Sequence, residues 1–435
     1  VVATVALFAG CGTDETPPPN ILLISIDALR ADHLGCYGYD RDTSPFLDTL
    51  AARGIRFSHA FVNTHGTPPS HTTMLSSLYQ ESHRVGVPGE NPSDADMALP
   101  TEVDLLQEVL RNRGWRTVAV TGGGFLKGEF GFDRGFDLFV GHRQDVEQGA
   151  ARLVKLIEQN LATGQPVFAF FHTYQVHTPY RPPPAYDGLF GDYSSDVEVT
   201  GKALVKIQAD AAAHLEPGDF DYLMVQYDRD IRYTDDTLRK LLGQLDELGF
   251  LDRALVVVTS DHGEEFGDHG GLLHRGSLYE ELLRVPLIVR GSGLPSGVVE
   301  SRLASTVDIA PTILAAVGLE PPPSMEGRDL FAQQPLEWSQ QRVFSQYGTQ
   351  IYSLRTPRWK LIEYPDRDHH LLFDLTHDPN ETRDVAARHP ERADRLRHEL
   401  EQWRSERPRL ESLTSPSVEV SAQTREQLRA LGYVD

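Results

Sequence analysis

Residues 20–27 read Asn20-Ile21-Leu22-Leu23-Ile24-Ser25-Ile26-Asp27, an almost unbroken apolar run that stops on an acid. Such a run is the signature of a strand buried on both faces, as in a parallel sheet. A second run, Leu255-Val256-Val257-Val258-Thr259-Ser260, ends the same way at Asp261, with His262 next. Open α/β sheets place their sites outside the carboxyl ends of the strands. An acid at one strand end, joined by an Asp-His pair from another, is a metal-site arrangement. Between them lies Thr67-Pro68-Pro69-Ser70-His71, a hydroxyl at a helix start.

The remaining pattern alternates strand and helix. Strands are expected at 55–61, 116–120, 167–171 and 285–289, and helices at 43–54, 70–78, 105–114, 227–248 and 307–317. Gly122-Gly123-Gly124 forms a loop at one strand end. This alternation predicts an α/β fold, with a mostly parallel sheet and helices on both faces. The acidic 185–220 region reads as an insertion or lid. Past about 340 the pattern becomes short antiparallel strands, at 346–354, 359–363 and 371–375, with a charged helix at 391–403. Residues 404–423 read as extended, and 427–433 as a short docking turn. The chain thus divides into a signal remnant and linker (1–19), an α/β catalytic domain (20–340), a small C-terminal α+β subdomain (341–410) and an extended tail (411–435).

The 435 residues carry 41 basic and 63 acidic side chains, a formal charge of -22. That balance argues against nucleic-acid binding, which needs a basic footprint. Residues 1–10 are small and apolar and lead into Cys11-Gly12, then a polar, proline-bearing stretch. This reads as the end of a lipoprotein-type signal peptide, with lipid on Cys11, export to the periplasm or cell envelope, and membrane attachment through that lipid. With only Cys11 and Cys36 present, neither a disulfide framework nor a cysteine zinc cluster is expected.

Asp27, Thr67, Asp261 and His262 are expected around one divalent ion; Mn, Zn, Mg and Ca all suit such donors to different degrees. The ion would lower the pKa of the Thr67 hydroxyl beside an ester oxygen. The helix start at 68–71 is expected to add backbone donors for an anion. This set predicts attack on a phosphate or sulfate ester.

The chain resembles the sulfatase family of the alkaline-phosphatase-like superfamily. The matching segments are 20–27, Arg30-Ala31-Asp32-His33-Leu34-Gly35-Cys36-Tyr37-Gly38, Thr67-Pro68-Pro69-Ser70-His71 and Ser260-Asp261-His262-Gly263. Further on they are 276–281, Arg284-Val285-Pro286, Arg358-Trp359-Lys360-Leu361, Phe373-Asp374-Leu375 and Asp378-Pro379-Asn380-Glu381. The resemblance implies an alkaline-phosphatase-like three-layer sandwich with a small C-terminal α+β subdomain. It also implies His177, in His-Thr-Pro, as the histidine at the substrate oxygen, and Arg275 as the cation before the Gly-x-x-Tyr-Glu segment. His269 and His274 are additional site candidates, and with His71 they offer an alternative second metal site. Arg30 and Asp32 read either as an ion pair or as substrate contacts, and Arg358 and Lys360 as structural.

The departures are as informative. Sulfatases carry Cys-x-Pro-x-Arg or Ser-x-Pro-x-Arg and oxidise the first residue to formylglycine. Thr67 and His71 stand at those positions, and threonine could yield only a ketone. Ala28 replaces a second acid, and Gly122-Gly123-Gly124-Phe125 replaces Gly-Lys-Trp-His. Other superfamily branches use threonine directly as a covalent nucleophile. The reading is therefore a metal-dependent hydrolase of phosphate mono- or diesters, acting on a small-molecule or envelope-derived anionic ester through Thr67, His177, Arg275 and His71. The alternatives are a sulfuric ester hydrolase working without formylglycine and a phosphoryl-group transferase of envelope polymer metabolism.

Overall fold

β1 (Asn20–Ile26) lies between β5 (Val167–Thr173) and β6 (Ala254–Thr259), parallel to both. Six of its seven residues are fully enclosed. The computed structural model describes residues 19–87, 94–141, 145–208, 211, 214–274, 276–332, 337–407 and 418–433. Cys11 and Arg275 lie outside them. Around the central three strands run β2 (Ile55–Phe61), β3 (Arg116–Thr121), β4 (Leu138–Gly141), β9 (Arg284–Val285), β10 (Leu287–Gly291) and β11 (Val298–Ser305). The nine-stranded sheet has the order β11-β2-β10-β6-β1-β5-β3-β4, with β9 beside β2. β10 runs antiparallel to both β6 and β2, and the other pairings on the main path are parallel. The hairpin β7 (Glu265–Phe266) and β8 (Leu272–Leu273) follows β6.

Side chains alternate between two cores, as the two-residue period of a strand requires. Leu22, Ile24 and Ile26 face one core with Val256, Val258, Ala169 and Phe171; Ile21 and Leu23 face the other with Leu255, Val257, Phe168 and Phe170. The first core is closed by helices Pro45–Ala52, Val146–Leu161 and Pro217–Glu247, and the second by Thr67–Ser76, Leu106–Asn112 and Ile309–Ala316. This is the expected three-layer sandwich. Both faces of β1 are covered, so its carboxyl end meets the site from inside the protein.

The C-terminal subdomain holds an antiparallel sheet of β12 (Val343–Tyr347), β13 (Ile351–Arg355), β14 (Trp359–Tyr364) and β15 (His369–Asp374). Helix Pro390–Glu406 packs on it through Leu396, Leu400 and Trp403. The single strand expected at 346–354 is in fact a hairpin, turning after Tyr347. The tail also differs from expectation: Ala422–Ala430 is helical, capped by the Ser421 side chain and anchored in the second core by Leu428. Expectation also missed β4, β11 and helix Val146–Leu161. The long helix starts ten residues early, at Pro217 rather than 227.

Asp235, on that long helix, accepts the N–H groups of Phe46 and Leu47 at 2.8 Å each, so it caps helix Pro45–Ala52 from a distance. Burial pushes its carboxyl from 3.8 up to about 7. Between those values the folded state holds a proton that the unfolded chain has released. Asp235 therefore favours folding most at low pH and loses that contribution as pH rises toward 7. Asparagine cannot titrate. The Asp235→Asn variant should gain stability relative to the parent as pH rises through this window, read from paired melting curves.

Candidate active site

The loops after β1 and β6 are stitched together by bonds from the backbone of the first to side chains of the second. Ala28 N–H donates to Asp261 Oδ1 at 3.3 Å, and Leu29 N–H to Ser260 Oγ at 3.0 Å. The buried Tyr227 hydroxyl donates to Ala28 O at 2.7 Å and accepts from Arg30 N–H at 2.8 Å. These bonds hold Ala28 at φ 59°, a left-handed conformation that costs an alanine roughly 1 kcal/mol or more. The Arg30 guanidinium is bonded to Asp32, Asp268 and Glu264 O. Of its two readings, the loop-positioning ion pair is the one seen.

Asp27, Asp261 and His262 meet beneath this frame, each 0% exposed. His262 Nδ1 donates to Gly263 O at 2.8 Å, so in the neutral ring it is Nε2 that offers a lone pair. That nitrogen lies 3.6 Å from both Asp27 Oδ1 and Asp261 Oδ2. All three atoms are buried without a hydrogen-bond partner. Burial raises the pKa of both carboxyls, and Asp27 raises Asp261 further. Burial alone would lower His262, but the two carboxylates outweigh it. Two carboxylate oxygens and an imidazole nitrogen, orphaned and convergent, fit a divalent cation. Thr67 Oγ1 is 3.2 Å from Asp27 Oδ2, so the four residues expected around one ion do come together.

Two further histidines flank this group. His71 Nδ1 donates to Thr67 O at 2.8 Å, and its Nε2 accepts from the Ser25 hydroxyl at 2.9 Å. His172 Nδ1 accepts from Gly122 N–H at 3.3 Å, and its Nε2 donates to Asp27 Oδ2 at 3.2 Å. Burial pushes both rings down to about 4, so both are neutral at pH 7. Their ligand atoms cluster with Asp261, yet both lone pairs are already used. That arrangement speaks against the alternative second metal at His71. His172 escaped the sequence reading because β5 was expected to end at 171. It runs on to Thr173, bringing an imidazole to the carboxyl end beside β1.

Thr67 opens a ten-residue helix whose side chains are all buried. Gly66 precedes it at φ 100°, a conformation that favours glycine. One expectation about this helix needs correction. Pro68 and Pro69 have no N–H, and Ser70 N–H is taken by Gly66 O, so the first turn is poor in free anion donors. The helix dipole still favours negative charge at this end.

His177 Nδ1 donates to Thr178 O at 2.6 Å, and its Nε2 receives the Tyr433 hydroxyl at 3.1 Å. That same hydroxyl is 3.0 Å from Thr67 Oγ1. His274 stacks on His262 at 4.3 Å and bonds Glu264, whose carboxyl burial pushes up to about 8. His274 therefore belongs to the site. His269 does not: it bonds Glu281 and Glu381 O, stacks on Tyr279, and forms a separate group with Glu265 and Glu281. Lys360 is buried against Glu381, and Arg358 pairs with Asp374, both structural as expected.

Gly122 and Gly124 give their space to an aromatic ring. A Cβ on Gly122 would lie 2.7 Å from the Tyr174 ring, and one on Gly124 2.8 Å from its hydroxyl. That hydroxyl is buried without a hydrogen-bond partner. A cavity of ≈ 220 Å³ is lined by Gly122, Gly124, Tyr174, Gln175, His177 and Arg181 among others. A second, of ≈ 770 Å³, adjoins it at Pro179 and Arg181 and is bordered by Lys202, Lys206 and Arg429. Tyr174, Tyr433 and Glu264 carry no spacing signal that points to a site.

Among proteins of known identity, N-acetylglucosamine-6-O-sulfatase of Bacteroides thetaiotaomicron is 24% identical over 88% of this chain and 85% of its own length. The multifunctional alkaline phosphatase superfamily protein PehA of Trinickia caryophylli is 25% identical over 72% and 76%. The fold matches the crystal structure of the phosphonate monoester hydrolase of Agrobacterium radiobacter, with a TM-score of 0.73 over 90% of this chain and 96% of that one, at 22% identity. The sequence model of the N-sulphoglucosamine sulphohydrolase C-terminal region matches residues 267–406. The model of the sulfatase family matches residues 19–319, and with it the chain belongs to the sulfatase family of the alkaline phosphatase superfamily, as a sulfatase-like ester hydrolase.

Proposed function

We propose that this centre hydrolyses phosphate mono- or diesters with Thr67 as a direct covalent nucleophile. The observation that carries this reading is a buried threonine hydroxyl 3.2 Å from Asp27 Oδ2; by the resemblance, it stands where sulfatases carry the formylglycine precursor. The divalent ion that fits Asp27, Asp261, His262 and Thr67 would supply Lewis acidity and lower the hydroxyl pKa. Thr67 Oγ1 forms the bond to phosphorus as its proton passes to Asp27 Oδ2. The ester oxygen departs and takes a proton from His177 in its cationic form. In the second half, water attacks the phosphothreonine and neutral His177 Nε2 takes up the water's proton. The Thr67 oxygen leaves phosphorus and recovers its proton from Asp27. His71 holds the Thr67 carbonyl and so fixes the nucleophile's backbone. Arg275 would add a cation at the anion, by resemblance. Arg181 in the inner cavity, with Lys202 and Lys206 beyond it, suits an anionic small-molecule or envelope-derived ester despite the net charge of -22.

A second reading has its own support. The relatives that match most of this chain include named sulfatases, so sulfuric ester hydrolysis by the same threonine stands beside phosphate chemistry. Phosphoryl transfer to an alcohol would need an acceptor in the larger groove. We also infer export with lipid at Cys11. A Cys11→Ser protein that still partitions with membranes as the parent does would contradict that anchor.

Turnover of aryl phosphate, bis-aryl phosphate and aryl sulfate, with Mn, Zn, Mg or Ca restored to stripped protein, separates the readings. Preference for a phosphorus ester, falling at least about 10³-fold in Thr67→Ala without loss of folding, is the expected result. Dominant aryl sulfate turnover would replace this reading with the second.

Metal binding gives an independent check. Saturating metal at about a hundred times its Kd should stabilise the protein by about 2.7 kcal/mol. Asp261→Asn should erase that gain. It should also raise the melting temperature of the metal-free protein, because one of two buried like charges is removed.

A further inference from the structure

We propose that Tyr433, delivered by the C-terminal helix, is a catalytic residue of this centre, its hydroxyl forming the side of the anion site between Thr67 and His177. This rests on Thr67 and His177 facing the reacting ester, whichever ester that is. The Tyr433 hydroxyl lies 3.0 Å from Thr67 Oγ1 and 3.1 Å from His177 Nε2. An oxygen touching both groups occupies the space that a tetrahedral anion's oxygen must border. Phenol hydroxyls donate to such oxygens.

The hydroxyl is held in place by structure far from it. Its ring packs on Phe125 at 5.0 Å, and Phe125 belongs to the Gly-Gly-Gly-Phe segment that replaces the family's lysine-bearing one. The helix before it is anchored by Leu428 in the core and by Thr424, which accepts from Lys127 Nζ at 2.9 Å. Gly432 then passes against Gly201 so closely that a Cβ on Gly201 would come within 2.8 Å of Gly432 N. The helix, its anchor and the close passage together set one side chain at the nucleophile. The tail thus brings a phenol hydroxyl to the side of the site between Thr67 and His177.

The test is Tyr433→Phe, which keeps the ring and its packing and removes one oxygen. In full-length, metal-restored protein, kcat/KM on the best aryl ester of the panel should fall at least tenfold. Inhibition by inorganic phosphate, or sulfate if the aryl sulfate proves best, should weaken in parallel. The melting temperature should hold. Gly201→Ala, which leaves every site residue in the sequence but crowds Gly432, should lower kcat/KM in the same direction. Equal or faster turnover in Tyr433→Phe would overturn the proposal and mark the tail as an obstruction. A wrong choice between phosphate and sulfate would show in the wild-type panel, and a wrong nucleophile in Thr67→Ala. Neither depends on Tyr433.

Discussion

Two carboxylates, Asp27 and Asp261, are sealed from water at the ends of neighbouring parallel strands. Buried like charges are strongly unfavourable unless something of opposite sign joins them. The protein supplies one imidazole, whose Nε2 points at both and whose pKa they raise. Much of the surrounding architecture serves to keep these groups close. Tyr227 and Ser260 brace the two loops, Arg30 is locked by two acids, and Ala28 is held in a left-handed turn. The stability lost there is recovered by two hydrophobic cores that close both faces of β1, β5 and β6.

The fold was legible because its central strands are extreme. Runs such as Leu22-Leu23-Ile24 and Val256-Val257-Val258 leave no polar face, and a strand without one must be covered on both sides. Asp27, Thr67, Asp261 and His262 were legible for the same reason, since each stands where an apolar run or a proline-bearing helix start breaks. What escaped has physical causes. β11 is amphipathic and half exposed, so it has no apolar run to notice. His172 lies on a strand whose end was misplaced by two residues. Glu264, two residues past His262, has no spacing signal of its own, whereas His274, a candidate from sequence, is carried back to the site by the β7–β8 hairpin. Tyr433 comes from the far end of the chain, and nothing in its neighbours' spacing places it beside Thr67.

His269 shows the opposite error. It lies closer in sequence to His262 than His274 does, yet the hairpin sends the two rings to different places. One stacks on His262 and the other on Tyr279, where it ties the catalytic domain to Glu381 of the C-terminal subdomain. Proximity in sequence decides little once a turn intervenes. The register of a two-residue strand decides it instead.

The departures from the family pattern act together. By the resemblance, His71, which burial keeps neutral, stands for an arginine, the glycines packed under Tyr174 for a lysine-bearing loop, and Ala28 for an acid. Among the described residues, Thr67 Oγ1 is hydrogen-bonded to Asp27 and to the Tyr433 phenol, and to no arginine or lysine. Charge-assisted hydrogen bonds are roughly twice as strong as neutral ones. A phenol in place of a cationic clasp would therefore grip a free tetrahedral anion less tightly, and would leave more of the charge compensation to a cation at Asp27, Asp261 and His262. It would also hold the product less tightly. Positive side chains lie outward, at Arg181, Lys202 and Lys206 on the borders of the two cavities, where their field would favour the approach of an anion.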